Sequence, residues 1–588
     1  MNRFGLQVSI VLAGIVASAA CGSSASRSGF DDGDGGDNTE GGPGPFGGDS
    51  ADGRKLACSG DLRSVVDESG VVVLECPPDK GCAAGGCIAA CDAAAASRGS
   101  IGCDYAVATP TFQPALLPPC FAIFVANNWP KPVAITVERD GKTYDVTSFG
   151  RIPENGKPES AWAPVPKAGL PEGQVAVLFI SSDPASSHPI GGPLTCPVPP
   201  ALAQSTAVTG TGRGKAWHIR TSFPVTAYDI LPYGGAKSYL PSAELLFPTS
   251  AWGKNYVAAL PPRGSAAPQW GQIVALEANT EVTVLPNVTL PAGAANDPPA
   301  FPAKMPGKLT LGAFEYVQWQ ESNEMTGTVI QANKPVAFTG GQGYQCYKSA
   351  TSTGGGCDSG HQMIPPVQAL GSTYAVAPYA TRRKNGQAES VPYRIVGIVD
   401  GTTLTFDPTI AGAPAKVDAG QFVDFESTTG FVVTTQDDAH PIAVGESMTG
   451  CSVEPGATLG DEDYVNVLAP AQFLSKYVFF TDPTYGTTSL TFVRKKTAAG
   501  FQDVTLACLG TITGWKPVGT KGEYELANAD IIREKVKNGS CDNGGHVAAS
   551  KGPFGLTVWG LDYYASYGYP AGGNIAPINA VVVPAVPK

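Results

Sequence analysis

The sequence reads Val329-Ile330-Gln331-Ala332-Asn333-Lys334-Pro335-Val336 near its centre: an apolar strand pattern, a short polar turn, a proline and a second apolar stretch. The same shape occurs three more times, around Pro224, Pro441 and Pro553. Successive prolines are 111, 106 and 112 residues apart. Self-similarity at a nearly fixed period indicates a repeated structural unit, so the repeat outranks every local signal.

Two further patterns share this period. Hairpin-like pairs of apolar runs recur, for example Ile395–Pro408 around Asp400-Gly401, and Asp-Gly between alternating apolar runs is a strong hairpin signal. Connectors recur as well, and they place an aromatic residue or Leu just before a strand that starts near Tyr256, Tyr374 or Tyr477. Short strands separated by turns at this spacing predict sandwiches or the blades of a ring.

The predicted fold class is therefore all-β, with four tandem, related modules. Their period exceeds the roughly 40–50 residues of ordinary propeller blades, which favours sandwich-like modules over the alternative of a closed, propeller-like ring. A small disulfide-rich module precedes them. The predicted segments are a signal peptide at 1–20, a lipid-anchor cysteine and acidic tether at 21–54, a cysteine-rich module at 55–104, and β repeats at 105–246, 247–364, 365–468 and 469–588.

The beginning of the chain indicates export. An apolar run from Leu6 to Ala20 follows Arg3; it is too short to span a bilayer and is typical of a signal peptide. It ends in Ser18-Ala19-Ala20-Cys21, which resembles a lipobox whose cysteine is acylated. The alternative is ordinary cleavage at the A-x-A-like Ala17-Ser18-Ala19. Gly22 rather than Asp follows Cys21, which leaves the outer membrane open as the destination, so we expect a lipid-anchored protein of the outer membrane or cell surface. Because the sequence has no second run of 18 or more apolar residues, we expect no membrane-spanning segment in the mature protein.

The next two segments differ sharply in composition. Residues 22–54 are rich in Gly and Asp and nearly free of apolar side chains, which predicts a disordered, extended tether. Six cysteines follow within a short span, and outside the cytoplasm that density predicts three disulfides among themselves, with the connectivity open. A zinc site at three of them is the alternative, but the segment contains no His. These cysteines are Cys58, Cys76, Cys82, Cys87, Cys91 and Cys103.

Charge excludes some classes of partner. The 588 residues carry 39 Lys and Arg against 51 Asp and Glu, a net charge of −12. Nucleic-acid binding requires a basic surface, so no nucleic-acid partner is expected. Adsorption to anionic lipid is disfavoured for the same reason. The sequence instead favours a protein or glycan ligand at the cell surface.

Several stretches carry a resemblance that covers nearly all of the chain after the tether. They are Cys82-Ala-Ala-Gly-Gly-Cys87, Ser100-Ile-Gly-Cys103-Asp-Tyr105, Pro248-Thr-Ser-Ala-Trp252, Ser359-Gly-His361-Gln-Met-Ile-Pro365-Pro366, Phe479-Phe-Thr-Asp-Pro-Thr-Tyr485, Pro553-Phe-Gly-Leu-Thr-Val-Trp559-Gly560 and Tyr569-Pro-Ala-Gly572. With these, the chain resembles bacterial secreted lipoproteins that carry an IgG-Fc-binding-protein N-terminal domain. The resemblance implies binding without catalytic residues, and it leaves open whether immunoglobulin is the ligand.

Few residues suggest chemistry. The five His show no pair at the spacing of a metal site, so no metal, cofactor or catalytic residue is predicted. Asp358 and His361 form the best candidate for a polar site. The matching place in the next repeat holds Asp461-Glu462-Asp463, where a structural calcium ion is the alternative to the absence of any cofactor.

The repeat also predicts a disulfide map. Cys346 and Cys357 bracket a polar loop just after the second repeat's proline strand, and the pairs Cys120–Cys196 and Cys508–Cys541 likewise fall within single repeats. Cys451 follows the third repeat's proline strand, but no cysteine stands where its partner would be. Cys451 is therefore predicted to be the free thiol.

Together these patterns favour a surface-anchored binding or adhesion protein that is not an enzyme. One alternative is a secreted hydrolase acting on polysaccharide, and another is a passive structural protein of the cell surface. A glycosidase requires two carboxyl groups about 5–10 Å apart in a cleft, which makes the alternatives distinguishable in a structure.

Overall fold

One structural plan, repeated four times, organises the computed structural model of the chain. It describes residues 48–49, 55–68, 70–113, 115–154, 156–188, 192–234, 240–264 and 267–586. The predicted signal peptide, Cys21 and nearly all of the tether lie outside the described residues. Strands take up 48% of the chain and helices 5%, so the all-β prediction is confirmed. No helix among the described residues is long and apolar enough to cross a bilayer.

Each module contains five strands in the same order, which we name the opening, second, third, long and inner strands. The opening strand pairs with the first half of the long strand, and the second and inner strands pair with its second half. The third strand pairs with the second strand. The long strand therefore connects two halves of a curled sheet, because side chains along its length face two different layers.

The corresponding strands are as follows. The opening strands are Ile101–Val107, Gly253–Val257, Thr373–Val376 and Leu474–Thr481. The second strands are Phe121–Asn127, Gln269–Ala275, Val391–Gly397 and Thr487–Lys495. The third strands are Val175–Ser181, Glu315–Glu321, Phe422–Ser427 and Tyr524–Arg533. The long strands are Trp217–Leu231, Val329–Gln345, Phe431–Thr434 with Ile442–Met448, and Gly544–Asp562. The inner strands are Ser242–Leu246, Asp358–Met363, Asp463–Asn466 and Ala565–Pro570.

Shorter elements complete modules 1 to 4. The remaining strands of the modules are Ile135–Arg139, Lys142–Tyr144, Gly150–Ile152, Ala163–Pro164, Ser187–His188, Gly192–Pro193, Gly212–Lys215, Thr280–Leu285, Gly307–Leu311, Thr402–Thr403, Thr405–Asp407, Lys416–Val417, Val504–Leu506, Gly510–Thr511, Lys516–Val518 and Val536–Lys537. The helices are the α-helix Val146–Phe149 and the 3-10 turns Glu159–Ala161, Thr249–Ala251, Ala294–Asn296, Val367–Ala369 and Pro470–Gln472. Three of these turns, which we call the connectors, join one module to the next: Thr249–Ala251, Val367–Ala369 and Pro470–Gln472.

The repeated proline lies within a continuous strand in three of the four modules. The sequence predicts two strands separated by a turn, and only module 3 shows that break, between Thr434 and Ile442. In the other modules the long strand passes through Pro224, Pro335 or Pro553. The pairing with the opening strand shifts register next to each of these prolines. A proline has no N–H to donate, and such an irregularity is where a strand tolerates it.

Four tyrosines, one in each module, hold the backbone just after the repeated proline. The hydroxyl of Tyr105 donates a hydrogen bond to the carbonyl of Val225 (2.7 Å), the residue that follows Pro224. The hydroxyls of Tyr256, Tyr374 and Tyr477 bind the equivalent carbonyls of Val336, Ile442 and Phe554. Each module is thereby closed by one buried bond from its opening strand to its long strand.

The modules form a ring around the four inner strands. The inner strand of module 1 contacts that of module 2, module 2 contacts module 3, module 3 contacts module 4, and module 4 contacts module 1. The hydrophobic core of module 1 is continuous with that of module 4, and the Tyr228 hydroxyl donates across this boundary to the carbonyl of Ala571 (2.7 Å), with the carbonyl of Val478 also in reach at 3.1 Å. Curled, sandwich-like modules and a closed ring are therefore both present.

A small module precedes the ring and packs on it. Its strands are Gly48–Asp49, Lys55–Cys58, Ser64–Val66, Val72–Glu75, Lys80–Ala83 and Gly86–Ala89, followed by the α-helix Ala90–Ser97. The disulfides Cys58–Cys82 and Cys76–Cys87 lie within it, and Cys91–Cys103 joins its helix to the opening strand of module 1. Trp129 of module 1 is buried among Leu62, Ala90 and Ala94, and Lys476 of module 4 forms an ion pair with Asp61 (2.9 Å). The disulfides stabilise this module, because its hydrophobic core is too small to do so alone.

Candidate functional site

The inner strands carry polar side chains into the interior of the ring. All residues of the four strands are buried, yet they include Glu244, Asp358, His361 and Asp463. Buried ionisable groups are costly unless they are paired, so this axis is the most unusual chemical environment among the described residues.

Asp463 joins three modules. Its carboxylate accepts hydrogen bonds from Ser242 Oγ of module 1 (3.2 Å), from the backbone N–H of Gly568 of module 4, and from the N–H of Tyr464 (2.7 Å). Burial holds the pKa of Asp463 well above its usual range, although both N–H groups act in the opposite direction. The arrangement is that of a structural hub, because the contacts with Ser242 and Gly568 join the inner strand of module 3 to those of modules 1 and 4.

Asp358 makes a similar junction between modules 2 and 4. Its Oδ2 accepts from the N–H of Ser566 (3.0 Å), and the Ser566 hydroxyl donates to the carbonyl of Asp461 (2.8 Å). Burial, followed by the nearby Asp461 charge, raises the pKa of Asp358 well above its usual range. Asp358 and His361 thus have separate partners, as their odd spacing on one strand requires, since it points them to opposite faces.

His361 belongs to a different group, with Asp229 and Glu244. The Nε2 atom of His361 lies 2.8 Å from Oδ1 of Asp229 in the long strand of module 1. Asp229 and Glu244 are directly paired across the two strands of module 1. One ligating atom from each of the three residues lies within 4.8 Å of the others. Burial, followed by the Asp229 charge, raises the pKa of Glu244 well above its usual range.

The sequence patterns reveal neither Asp229 nor Glu244, and they predict no metal site. The signal in the sequence that could have indicated this group is Asp229, the single acidic residue within the apolar run Val225–Leu231. Its partner His361 comes from another module, so no local spacing reveals the group.

The side chains of the acidic trio Asp461-Glu462-Asp463 in module 3 point to different partners. Asp463 points to Ser242 and Gly568, whereas Glu462 Oε1 accepts from the N–H of Tyr347 (2.8 Å). Asp461 lies beside Glu462, and burial raises the pKa of both carboxyls. Among the described residues, the three-residue group with ligating atoms in mutual reach is Asp229, Glu244 and His361 rather than this trio.

The cysteines of the ring form three disulfides, Cys120–Cys196, Cys346–Cys357 and Cys508–Cys541. Cys451 has no disulfide partner and is buried, with its Sγ 3.4 Å from the carbonyl oxygen of Gly355. Burial, followed by the Asp461 charge, raises the pKa of the Cys451 thiol to about 11. A thiol in this state is a poor nucleophile at neutral pH.

Exposed aromatic side chains lie at the turn between the long and inner strands of module 4. Tyr563 is 63% and Tyr564 39% exposed, and their rings pack edge to face with centroids 4.7 Å apart. The neighbouring aromatics Trp559, Tyr567 and Tyr569 are buried in the ring. The tyrosine pair is held by a bond from Tyr564 N–H to the carbonyl of Thr458 in module 3 (2.9 Å).

Comparison with known proteins gives one match. No curated protein and no solved structure matches the chain. A family model described as IgGFc binding protein matches residues 242–560, more than half of the 588 residues. The matched span starts at the first residue of the inner strand of module 1 and ends within the long strand of module 4. The chain belongs to the IgGFc binding protein family.

Proposed function

We propose that the chain is a binding protein of the cell surface, exported by residues 1–20 and anchored by lipid on Cys21. Membership of a family of binding domains supports the binding role. The observation that carries the proposal is that the ring has two unlike ends, one packed against the N-terminal module and the other formed by loops with exposed tyrosines.

The two ends follow from the direction of the inner strands. Ser242 and Asp463, at the beginnings of their strands, hydrogen-bond to each other, and Asn466 at the end of one strand donates to the carbonyl of Met363 at the end of another (3.2 Å). Ser566 and Asp358, also near the beginnings of their strands, are hydrogen-bonded as well, so all four strands run in the same direction along the axis. The loops before them lie at one end of the ring, and the connectors after them lie at the other.

The connector end carries the N-terminal module. Arg98 donates to the carbonyls of Ser250 (3.2 Å) and Trp252 (3.3 Å) beside a connector, and Ser100 N–H donates to the carbonyl of Gly573 (2.8 Å). A folded chain held from this side presents its opposite end outward.

The loop end forms one continuous surface over modules 2, 3 and 4, which we call the loop face. It comprises 346–357, 449–462 and the pair Tyr563–Tyr564. The N–H of Ser452 donates to the carbonyl of Gly354 (2.7 Å), which ties the first two loops together, and Thr458 ties the second to Tyr564. Tyrosines on a rigid base contribute large contact area at low entropic cost, as in many protein interfaces.

The position of the buried acids disfavours the polysaccharide hydrolase. The carboxyl groups of Asp229 and Glu244 are adjacent but fully buried, so a polysaccharide chain does not reach them. Glycoside hydrolysis requires such a pair in an open cleft.

Binding of the full chain to immobilised IgG Fc and to panels of extracellular proteins and glycans tests the role of the loop face. We expect the Tyr563→Ser/Tyr564→Ser variant to lose most of its affinity for whichever probe binds, by about 10-fold or more, because interface tyrosines are frequent hot spots. Met305→Ser removes an equally exposed apolar side chain (59%) from module 2 and serves as the matched control. Equal affinity of the double variant and the control would place the ligand elsewhere, and no binding to any probe would favour the passive structural role.

The anchor requires its own experiment. We expect mass spectrometry to find an acylated Cys21 at the N-terminus of the mature protein and fractionation to place it with membranes. Cys21→Ser is expected to release the protein to the soluble fraction. Cleavage after Ala19 with an unmodified Cys21 would contradict the proposal.

A further inference from the structure

We propose that Asp229, Glu244 and His361 bind a divalent transition-metal ion of the Zn²⁺ class inside the ring. The long strand of module 1 supplies Asp229, its inner strand supplies Glu244, and the inner strand of module 2 supplies His361. The ion would therefore join modules 1 and 2 inside the ring.

The geometry is that of a nearly assembled site. Asp229 Oδ1 and His361 Nε2 are 2.8 Å apart, and a ligating atom of Glu244 completes a triangle with sides no longer than 4.8 Å. Since Zn²⁺ bonds to oxygen and nitrogen are about 2.0–2.2 Å, ligand atoms on one ion lie about 3–3.5 Å apart. A small inward movement of Glu244 and a slight separation of Asp229 Oδ1 from His361 Nε2 complete this geometry.

Unpaired oxygens supply an independent reason to expect a cation. No hydrogen bond reaches either carboxyl oxygen of Glu244 or Oδ2 of Asp229 from the described residues, although both residues are fully buried. The Met363 N–H and the Asp229 carboxyl both lie next to the Glu244 carboxyl and act on its pKa in opposite directions, but neither contact has the geometry of a full hydrogen bond. Buried polar atoms in native proteins nearly always have a partner, and a carboxylate pair without one is strongly unfavourable. An ion between them satisfies all three oxygens.

The ligand set selects the class of ion. One imidazole with two carboxylates suits Zn²⁺ and its neighbours, whereas Ca²⁺ and Mg²⁺ prefer oxygen ligands alone. Carboxylate and imidazole ligands bind a metal in their deprotonated forms, so affinity should fall as the pH is lowered. The burial of all three residues indicates a structural ion that enters while the chain folds.

Metal analysis of the full chain tests the site. The protein is produced in medium with added Zn²⁺ and in medium with a Zn²⁺ chelator, and its metal content is measured by mass spectrometry with thermal unfolding in parallel. We expect a stoichiometric ion and a higher unfolding temperature for the Zn²⁺-grown wild type only. Glu244→Gln places at this position the amide that module 2 carries at Gln362, and we expect it to lose the ion and the difference in unfolding temperature.

Glu446→Gln is the matched control. Glu446 occupies the position of module 3 that corresponds to Asp229, is also buried, and has its own partner in the N–H of Tyr379 (3.1 Å). It should retain the ion. If the wild type grown with Zn²⁺ contains no stoichiometric transition metal, the acids share a proton instead and the proposal fails. Retention of the ion by Glu244→Gln would also overturn it. If that variant does not fold, wild-type protein grown with Co²⁺ provides the test, because bound Co²⁺ absorbs visible light. A visible absorption band supports the site, and a protein without such a band contradicts it.

Discussion

At the residue scale, each module is held together by a tyrosine hydroxyl whose hydrogen bonds cannot be read from sequence patterns. Tyr256, Tyr374 and Tyr477 are predictable as the beginnings of strands, but their bonds to the carbonyl after the repeated proline are visible only in three dimensions. In modules 2, 3 and 4 the same hydroxyl also accepts an N–H from three residues earlier, at Gly253, Gly371 and Leu474. One atom thus satisfies two buried backbone groups in each module.

Tyr374→Phe should destabilise the fold without changing its shape. The carbonyl of Ile442 and the N–H of Gly371 lose their partner, and leaving buried groups unsatisfied costs about 1–3 kcal/mol. Chemical denaturation measures the change in the free energy of unfolding. Tyr563→Phe, at an exposed site, is the control and should change it by less than about 0.5 kcal/mol. An equal effect of the two substitutions would contradict the assigned role.

The raised pKa of Glu446 predicts that the stability of the fold depends on pH. Burial raises its pKa to about 8, so the folded state holds a proton that the unfolded chain releases near its ordinary pKa of 4.5. The stability that Glu446 contributes is therefore complete at acidic pH and is lost as the pH rises from 4.5 through 8. With one pKa unit worth about 1.4 kcal/mol, Glu446→Gln should gain up to about 5 kcal/mol over wild type across that interval. Denaturation at pH 5 and pH 8 measures this, and parallel profiles would refute it.

At the scale of elements, the sequence predicts most strands but not their continuity. A polar turn and a proline suggest a break, and module 3 has one, yet in modules 1, 2 and 4 the strand continues through a register shift. Local residue preferences are similar in all four. Pairing with neighbouring strands decides the outcome, and that is a property of the sheet rather than of the segment.

Loop length orders the effects of the ring's disulfides. Cys120–Cys196 spans 76 residues of sequence and Cys346–Cys357 spans 11. In the chain-entropy model, replacing the first pair with Ala should lower the free energy of unfolding by about 4 kcal/mol and the second by about 3 kcal/mol. Denaturant titration of the two double variants checks the order. Cys451→Ala removes a thiol without a crosslink and serves as the control; a larger loss for the short loop would contradict the model.

At the scale of the whole molecule, the period alone does not separate a row of modules from a ring, because both have the same repeat. The ring is closed by the contacts between neighbouring inner strands and by the packing of module 1 against module 4. The candidate site depends on the packing of neighbouring modules, because Asp229 and His361 meet only when modules 1 and 2 pack together.

Shared cores predict cooperative unfolding of the ring. Hydrophobic clusters span modules 1 and 4, modules 2 and 3, and modules 3 and 4. We expect tryptophan fluorescence and circular dichroism to report a single, coincident transition. Tyr228→Phe removes the bond to Ala571 and should lower the midpoint by both probes equally. Two separated transitions, or a shift seen by one probe alone, would show that the modules unfold independently.

The closed ring also sets an order of events during synthesis. The ribosome releases the inner strand of module 1 long before that of module 4, so Ser242–Leu246 waits for Ala565–Pro570 to arrive from the far end of the chain. Until then Asp463 lacks its partner Gly568, and the flank of module 1 that will pack on module 4 stays open to water. Completion of the interior is thus the last step of maturation, and a chain truncated before Tyr567 carries every module except the part that seals them.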